Sequence, residues 1–444
     1  MPAKLIMPAK AKVPKNYNLL RGFKDILPAE QRYWDFIQQR VYKLADDYGF
    51  SRLETPILES AALFIRSVGS DSDIVSKEMY TFLDQGNDKV ALRPEGTAGV
   101  VRSYIEHGFL NQPQPVKAFY FGPFFRHDRP QAGRQRQFWQ FGFEVLGDSN
   151  PVLDAQLIHI SYKFYAELNL PVQVEVNSIG CPNCRPAYLK ELTTILKKHR
   201  KNLCPDCQLR LTKNPLRVLD CKNKDCQAVL TDLPQTVDFL CEDCKKHFVS
   251  VLEYLDELEV NYNLNPRIVR GLDYYTKTAW EILETGRDGQ QDSLGGGGRY
   301  DELVNELGGR PTPAVGFACG VERAISRFKN HDIAVKQPVR PELYVAQLGL
   351  EARKKCLRLY EQLLQRDYLV AESFSKDSLK DQLEAANKLG VKYTLMIGQK
   401  ELVDDTVLIR DMESGIQEVV DFKKILDYLP KILSNRVSNS RTDK

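Results

Sequence analysis

The stretch Phe124–Gly147, FFRHDRPQAGRQRQFWQFGFEVLG, reads as two strands joined by a long basic loop. In its second half Gln140, Gly142 and Glu144 fall on one face by period-two alternation, and Phe141, Phe143 and Val145 fall on the other. The apolar face is a core face. The other presents an amide, a bare backbone position and a carboxylate side by side. Arg126 ends the first strand, and the loop carries Arg129, Arg134 and Arg136. Planar guanidinium groups reaching over such a floor suit a phosphate ester, whose oxygens they grip in pairs. By residue type alone, a solvated polar face with a charged hairpin tip fits equally well.

Upstream of the hairpin, Pro28 opens a helix and Gly49 closes it; Tyr33, Trp34, Ile37, Val41, Leu44, Ala45 and Tyr48 form its apolar stripe. The strand that follows, FSRLETPILES, breaks at Pro56. In LRPEGTAGVVR (Leu92–Arg102), Glu95 precedes Gly96 and Thr97 at the head of a helical pattern. A carboxylate there either holds a ligand ammonium or stabilises the helix start through its dipole. Downstream come a helix from about Pro151 to Leu168 and a strand, VQVEVNSIG, ending at Gly180.

The composition changes from Cys181 to about Asn261. Eight of the chain's ten cysteines lie here in four pairs, Cys181/Cys184, Cys204/Cys207, Cys221/Cys226 and Cys241/Cys244. Taken in order, the first two pairs read C-x2-C-x19-C-x2-C and the last two C-x4-C-x14-C-x2-C, each close to a tetrathiolate zinc pattern. The expectation is therefore two structural zinc sites: Cys181, Cys184, Cys204 and Cys207 in one, Cys221, Cys226, Cys241 and Cys244 in the other. The competing reading is a set of inert buried thiols. Between Cys181 and Asp225 eleven Lys/Arg face four Asp/Glu, a local basic excess that suits a phosphate backbone or a solvated helical face.

The chain then returns to strands, Ile268–Leu283 and Gln291–Leu294, around an ETGRDG turn. Four glycines, Gly295–Gly298, let a backbone pass close to a ligand. GFACGVERAI leads into a helix with Gly320 and Arg323 at its start. A polar linker (329–340) precedes a strand–helix alternation over 341–430, the pattern of a small α/β domain.

The chain has 444 residues, a net charge of +3 and 43% hydrophobic residues, which suits several globular domains and confines any nucleic-acid surface to a local patch. No apolar run is long enough to span a membrane, and the N-terminus has no secretory h-region. Residues 1–17 and 431–444 read as tails, and the cysteine usage points to a reducing cytosol.

Three of these stretches, in this order, resemble the histidyl form of the class II aminoacyl-tRNA synthetases. Phe124–Gly147 is similar to class II motif 2. RGLDYYTKTAWE (Arg270–Glu281) is similar to the histidine-specific signature. GGGGRYDELV (Gly295–Val304) with PAVGFACGVERAI (Pro313–Ile325) resembles the glycine-rich lead-in and motif 3. The Pro56-marked strand resembles motif 1, which in the family builds a dimer interface, and NPLRVLDCKN (Asn214–Asn223) resembles the landmark of the family's helical insertion. The resemblance implies an α+β fold: an antiparallel catalytic sheet in 18–180 and 262–328, an insertion at 181–261 that packs on the tRNA acceptor stem, and a C-terminal anticodon-binding domain. It implies a cytoplasmic homodimeric ligase that activates L-histidine with ATP and Mg²⁺ and charges tRNA(His). Within it Glu95, Gly96, Thr97 and Gln140 correspond to the holders of the α-ammonium. Glu144, Tyr274 and Tyr275 correspond to the imidazole pocket, and Arg126 and Arg270 to the clamps on α-phosphate and carboxylate. Arg126, Arg136, Phe138 and Arg323 correspond to ATP contacts, and Arg129 and Gln131 to tRNA contacts. The rival reading is a synthetase-like regulatory subunit of histidine biosynthesis; such paralogues erode the motif 2 arginines, which stand intact here.

Overall fold

The computed structural model describes residues 17–69, 72–128, 134–231, 233–285, 293–337 and 339–439. The expected N-terminal tail falls outside that set but for Tyr17, as do Arg129, Gln131 and residues 440–444. The chain divides into two units, Met1–Lys336 and Gln337–Lys444.

Helix α1 (Pro28–Tyr48) opens on its proline and stops at Gly49, whose φ of 71° is left-handed and whose N–H caps the carbonyls of Ala45 and Asp46. Strands β1 (Ser51–Arg52) and β2 (Leu58–Ser60) lie either side of Pro56. Helix α2 (Ala61–Val68) and strands β3 (Thr81–Leu83) and β4 (Lys89–Leu92) follow; β2, β4 and β3 form a small antiparallel sheet. After α3 (Thr97–Glu106) comes the hairpin, β5 (Val116–Phe125) and β6 (Gln137–Leu146), then α4 (Pro151–Ala166) and β7 (Val172–Ser178). The insertion holds α5 (Arg185–Lys198), α6 (Pro205–Lys213), α7 (Lys224–Leu230) and α8 (Glu242–Glu257). The return path is β8 (Tyr262–Leu264), β9 (Thr276–Glu284), β10 (Ser293–Arg299), α9 (Leu303–Glu306), β11 (Ala314–Gly320) and α10 (Val321–Asn330).

These strands form one sheet in the order β1-β5-β6-β11-β10-β9-β7-β8. Its middle is antiparallel throughout, and only the edge strands β1 and β8 pair in parallel. The expected alternation of β6 holds: Phe141, Phe143 and Val145 are fully buried in a core shared with Ile37 and Val41 of α1, Leu157 of α4 and Phe328 of α10. Stacking of Phe143 on Phe317 across β6 and β11, centroids 5.2 Å apart, ties the middle of the sheet. Trp139 lies on this core face, edge-on to Trp34 at 5.6 Å. Helices α1, α4 and α10 cover this face; on the other, Ala118, Tyr120 and Leu146 pack with Val100 and Tyr104 of α3 in a second core beside the polar residues of β6. The architecture is α+β.

Two local expectations change. The strand expected from Ile268 begins only at Thr276, because the backbone before it is bonded outside any ladder. Asn177 Nδ2 donates to the Ile268 carbonyl, and the Asp273 N–H donates to the Val68 carbonyl. Arg270–Tyr275 is thus a loop crossing the sheet's open face. Gly295–Gly298, read as a glycine-rich lead-in that lets a backbone pass close to a ligand, are interior residues of β10. A Cβ at Gly296 would meet Arg270 Nη1 at 2.7 Å, and one at Gly298 would meet the Tyr275 ring at 2.6 Å, so their missing side chains are the space that those two occupy.

The second unit runs β12 (Leu343–Gln347), α11 (Leu350–Leu364), β13 (Val370–Glu372), α12 (Leu379–Leu389), β14 (Tyr393–Ile397), α13 (Gln399–Val403), β15 (Thr406–Asp411), β16 (Gln417–Asp421) and α14 (Ile425–Asn439). Its sheet order is β13-β12-β14-β15-β16, parallel in the first three strands and antiparallel in the last two. Helix α14 continues to Asn439, past residue 431 where the sequence reading begins a tail.

Candidate active site

On the open face of the large sheet lies a cleft of about 430 Å³. Arg126, Phe138 and Gln140 of the hairpin line it, with Arg270 from the crossing loop and Arg323 from the start of α10. Arg126 is held from behind: its Nε donates to the Pro94 carbonyl at 2.9 Å and its guanidinium lies 5.3 Å over the Phe138 ring. Arg270 Nη1 donates to Glu281 Oε1 at 2.6 Å, and its guanidinium sits 5.6 Å over Tyr275. Its carboxylate partner is thus Glu281 on β9, not the nearer-in-sequence Asp273. Arg323 donates to the Ser293 carbonyl. Burial, with Arg134 and Arg126 nearby, presses the Arg323 guanidinium below its ordinary range. An anion bound among these cations relieves both costs.

One expected residue is turned away. The Arg136 N–H donates to the Gly22 carbonyl at 2.7 Å and its side chain packs on Gly22, so its guanidinium reaches the Arg21 carbonyl instead of the cleft. Arg134 takes the place in the cleft lining, with Nη1 2.9 Å from Asp128 Oδ2.

Behind the cleft the amino-acid-binding candidates form a buried polar cluster. Glu144 is fully buried, and its Oε1 accepts from Thr97 Oγ1 at 2.7 Å while Oε2 accepts from the Tyr300 hydroxyl at 2.5 Å. Desolvation raises its carboxyl to about 8. Glu95 accepts from the N–H groups of Thr97 and Ala98 at 2.7 and 2.9 Å, so it does act as the helix-start acid of α3. It is also buried, raised by that burial, and within 3.4 Å of the Tyr274 hydroxyl, so its second role as a ligand for a cation stays available. The Tyr274 ring packs against Tyr275 and Tyr300, centroids 4.6 and 5.7 Å away. Tyr300 and Glu281 carry no role in the sequence reading, although both stand inside quoted motifs. Their signal was position: Tyr300 follows the glycine strand, and Glu281 ends the Arg270 stretch.

The eight paired cysteines do converge, but in a different pairing from the one expected. Cys181 and Cys184 meet Cys241 and Cys244; Cys204 and Cys207 meet Cys221 and Cys226. The reason is topological. Strand β8 pairs in parallel with β7, and α8 feeds β8 through a short turn, so α8 must run back along the sheet. Its N-terminus, with Cys241 and Cys244, therefore lies where the chain leaves β7, at Cys181. Sγ–Sγ separations are 3.7 Å (Cys181–Cys184), 3.9 Å (Cys181–Cys241), 3.8 Å (Cys184–Cys244) and 3.8 Å (Cys204–Cys221). A tetrahedral zinc with sulfur arms of about 2.3 Å has edges of about 3.8 Å. The N–H groups of Cys181 and Cys204 point at Cys184 Sγ and Cys226 Sγ. Either group can hold a metal ion.

The chain as a whole is similar to proteins of known family. The family model described as Histidyl-tRNA synthetase matches residues 22–203 and 211–324, and that described as Anticodon binding domain matches 342–432. A histidine–tRNA ligase of Dehalococcoides mccartyi is 43% identical over 416 residues, 94% of this chain and 99% of that protein. One of Pelotomaculum thermopropionicum is 44% identical over 418 residues, 94% of this chain and 98% of that protein. Among solved structures, the apo histidyl-tRNA synthetase of S. aureus superposes with a TM-score of 0.76 at 32% identity, covering 93% of this chain and 99% of that one.

Proposed function

The chain belongs to the histidyl-tRNA synthetase family, and we propose from that premise that the cleft and the buried cluster behind it are the nucleotide and amino-acid halves of one adenylation site. The protein is a histidine–tRNA ligase: it joins L-histidine to AMP at the expense of ATP, releasing diphosphate, and passes the histidyl group to the 3′ end of tRNA(His). One observation carries the assignment of the site. Arg126, Arg270 and Arg323 converge on a single cleft with Gln140, and on the same face of β6, four residues further on, lies a buried carboxylate held between two hydroxyls.

The histidine carboxylate attacks the α-phosphorus while two negative groups approach each other. Arg126 and Arg270 offset that repulsion, each already oriented by a protein partner, so no reorganisation accompanies the step. Arg323 and Arg134 hold the phosphate tail, and Phe138 stacks on the adenine. Glu95, beside Gly96, takes the α-ammonium with Gln140. Glu144 accepts the ring N–H of the imidazole; Thr97 and Tyr300 hold its two oxygens, and Tyr274 and Tyr275 wall the pocket. A ring that both donates and accepts suits a carboxylate set among phenols. Mg²⁺ enters with ATP as its counter-ion and neutralises phosphate charge when bound. The carboxyls of Glu78, Asp220 (to about 6) and Glu322 (to about 7) line the cleft, each raised first by burial, and suit a cation there.

Each cysteine group takes one structural Zn²⁺. Four adjacent thiols do not all ionise without a cation: burial pushes Cys226 up to about 11 and Cys244 higher still, while backbone N–H groups outweigh burial at Cys181 and hold it at about 7. A reducing cytosol keeps such thiolates available. A second copy covers Ile57, Leu58, Phe82 and Leu83, exposed on the small sheet beside the motif 1 strand, to give the homodimer.

The test is histidine-dependent exchange of pyrophosphate into ATP. The parent protein is expected to catalyse it. Arg270→Ala is expected to fold normally, bind histidine and lose exchange by about a hundred-fold or more, the scale seen when a preorganised charge partner is removed. A variant that loses thermal stability yet exchanges within a few-fold of the parent overturns the role of Arg270.

A further inference from the structure

The insertion supplies part of the cleft wall. Between Cys207 and Cys221 the chain passes through α6 and the turn NPLRVLD, and from this segment Arg210, Arg217 and Asp220 line the cavity. Arg217 joins two parts of the catalytic unit. Its Nη1 donates to the Gly271 carbonyl at 2.9 Å and its Nη2 to Asp73 Oδ2 at 3.3 Å. Arg210 Nη2 reaches the same Asp73 oxygen at 3.0 Å. Burial would raise the Asp73 carboxyl, but the two guanidinium groups together with the Lys77 ammonium outweigh it and keep it below its ordinary range. Asp73 is thus a fixed anion in the cleft wall.

Gly271 is the residue after Arg270, in a stretch with no ladder hydrogen bonds to fix it. Among the described residues the Arg270 head has one carboxylate anchor, Glu281, and its Nε has no partner. Glu281 fixes the guanidinium; among the described residues no strand of the sheet bonds the peptide beside it. Arg217 does so from the insertion, with Asp73 as its counter-anchor.

We propose that Arg217 is a positioning residue for histidine activation, acting through Arg270 by pinning the Gly271 carbonyl. This rests on the assignment of Arg270 above. It gives the insertion a part in the first chemical step, before any tRNA binds. The second cysteine group closes both ends of the segment that bears Arg217, so the metal site and the catalytic loop are mechanically joined.

A double-mutant cycle in pyrophosphate exchange tests the proposal. Arg217→Ala is expected to lower kcat roughly ten- to a hundred-fold, as for a small misplacement of a catalytic group, with KM for histidine within about two-fold. In an Arg270→Ala background the same change is expected to cost less than about two-fold, because residues acting as one unit are not additive. Arg217→Lys, which reaches one of the two partners, recovers part of the loss. Zinc content is expected to match the parent in every variant. An equal fractional loss in both backgrounds, as for a direct phosphate contact or a packing role, overturns the proposal, as does an unchanged kcat for Arg217→Ala. Should Arg217→Ala not fold, Asp73→Asn replaces it in the same cycle with the same two readings. A parent protein without histidine-dependent exchange would instead refute the function on which the proposal stands.

Discussion

Glu144 stands where four parts of the chain meet: β6 supplies the carboxylate, Thr97 of α3 and Tyr300 after β10 supply the hydroxyls, and Gly316 of β11 leaves room. A Cβ at Gly316 would lie 1.5 Å from Glu144 Oε2. The burial has an electrostatic cost. With its carboxyl at about 8 in the folded protein against an ordinary 4.5, Glu144 holds its proton over a pH range in which the unfolded chain releases it. Its contribution to stability is complete below about 4.5 and is lost as the pH rises towards 8. Glu144→Gln removes that dependence. Thermal unfolding of the ligand-free variant is expected to match the parent near pH 5 and to exceed it increasingly up to pH 8. Histidine activation by the variant should fall, most of all towards pH 8 and above, where the parent carboxyl ionises and the amide cannot offer a full carboxylate to the ring N–H. A parent–variant difference in melting temperature that does not change with pH would remove the buried-carboxyl account. The facing of Glu144 was legible in the sequence because strand period alone sets it. Its partner Tyr300 was not, because a contact across 156 residues leaves no trace in local periodicity.

At the scale of elements the cysteine pairs make the same point. Tight pairs at helix starts were visible in the spacing; which pair meets which was not. Loop closure disfavours distant partners only weakly, by about 0.6 kcal/mol for each doubling of the loop. The βα crossover from β7 through α8 to β8 decides it, bringing Cys241 and Cys244 to the exit of β7 and nesting the Cys204–Cys226 group inside the larger loop. The two pairings separate by metal content. The parent should carry two zinc ions per chain. Cys181→Ser with Cys241→Ser breaks only one nested site, and is expected to leave one zinc; sequential pairing would leave none. Cys181→Ser with Cys204→Ser breaks both nested sites, and is expected to leave none, where sequential pairing would leave one. The inner site closes the segment carrying Arg217. Breaking it alone should therefore depress pyrophosphate exchange as well as zinc content.

At the scale of the whole molecule the two units have separate cores. In the second, Leu343, Val345, Leu359, Leu395 and Ile409 pack together in a cluster of its own. Its strand–helix alternation was legible because each strand there is a short apolar run bounded by turns. The catalytic sheet was harder to read, since its Arg270 loop resembles a strand in composition and its glycine strand resembles a loop. Every residue that lines the cleft or the buried cluster precedes the division at Lys336. Adenylation needs only histidine, ATP and that site; tRNA charging also needs the RNA held in place. The part matched as an anticodon-binding domain lies wholly in the second unit. The two activities should therefore separate when the chain is cut after Lys336. The truncated protein is expected to keep histidine-dependent exchange within several-fold of the parent. Its charging of tRNA(His) is expected to fall by at least about a hundred-fold in kcat/KM, since about 3 kcal/mol of lost binding already produces that factor. The loss should appear in KM for tRNA before it appears in kcat, because the contacts removed are remote from the reacting atoms. Loss of exchange together with charging, in a fragment that still melts cooperatively, would mean that the second unit takes part in forming the adenylation site.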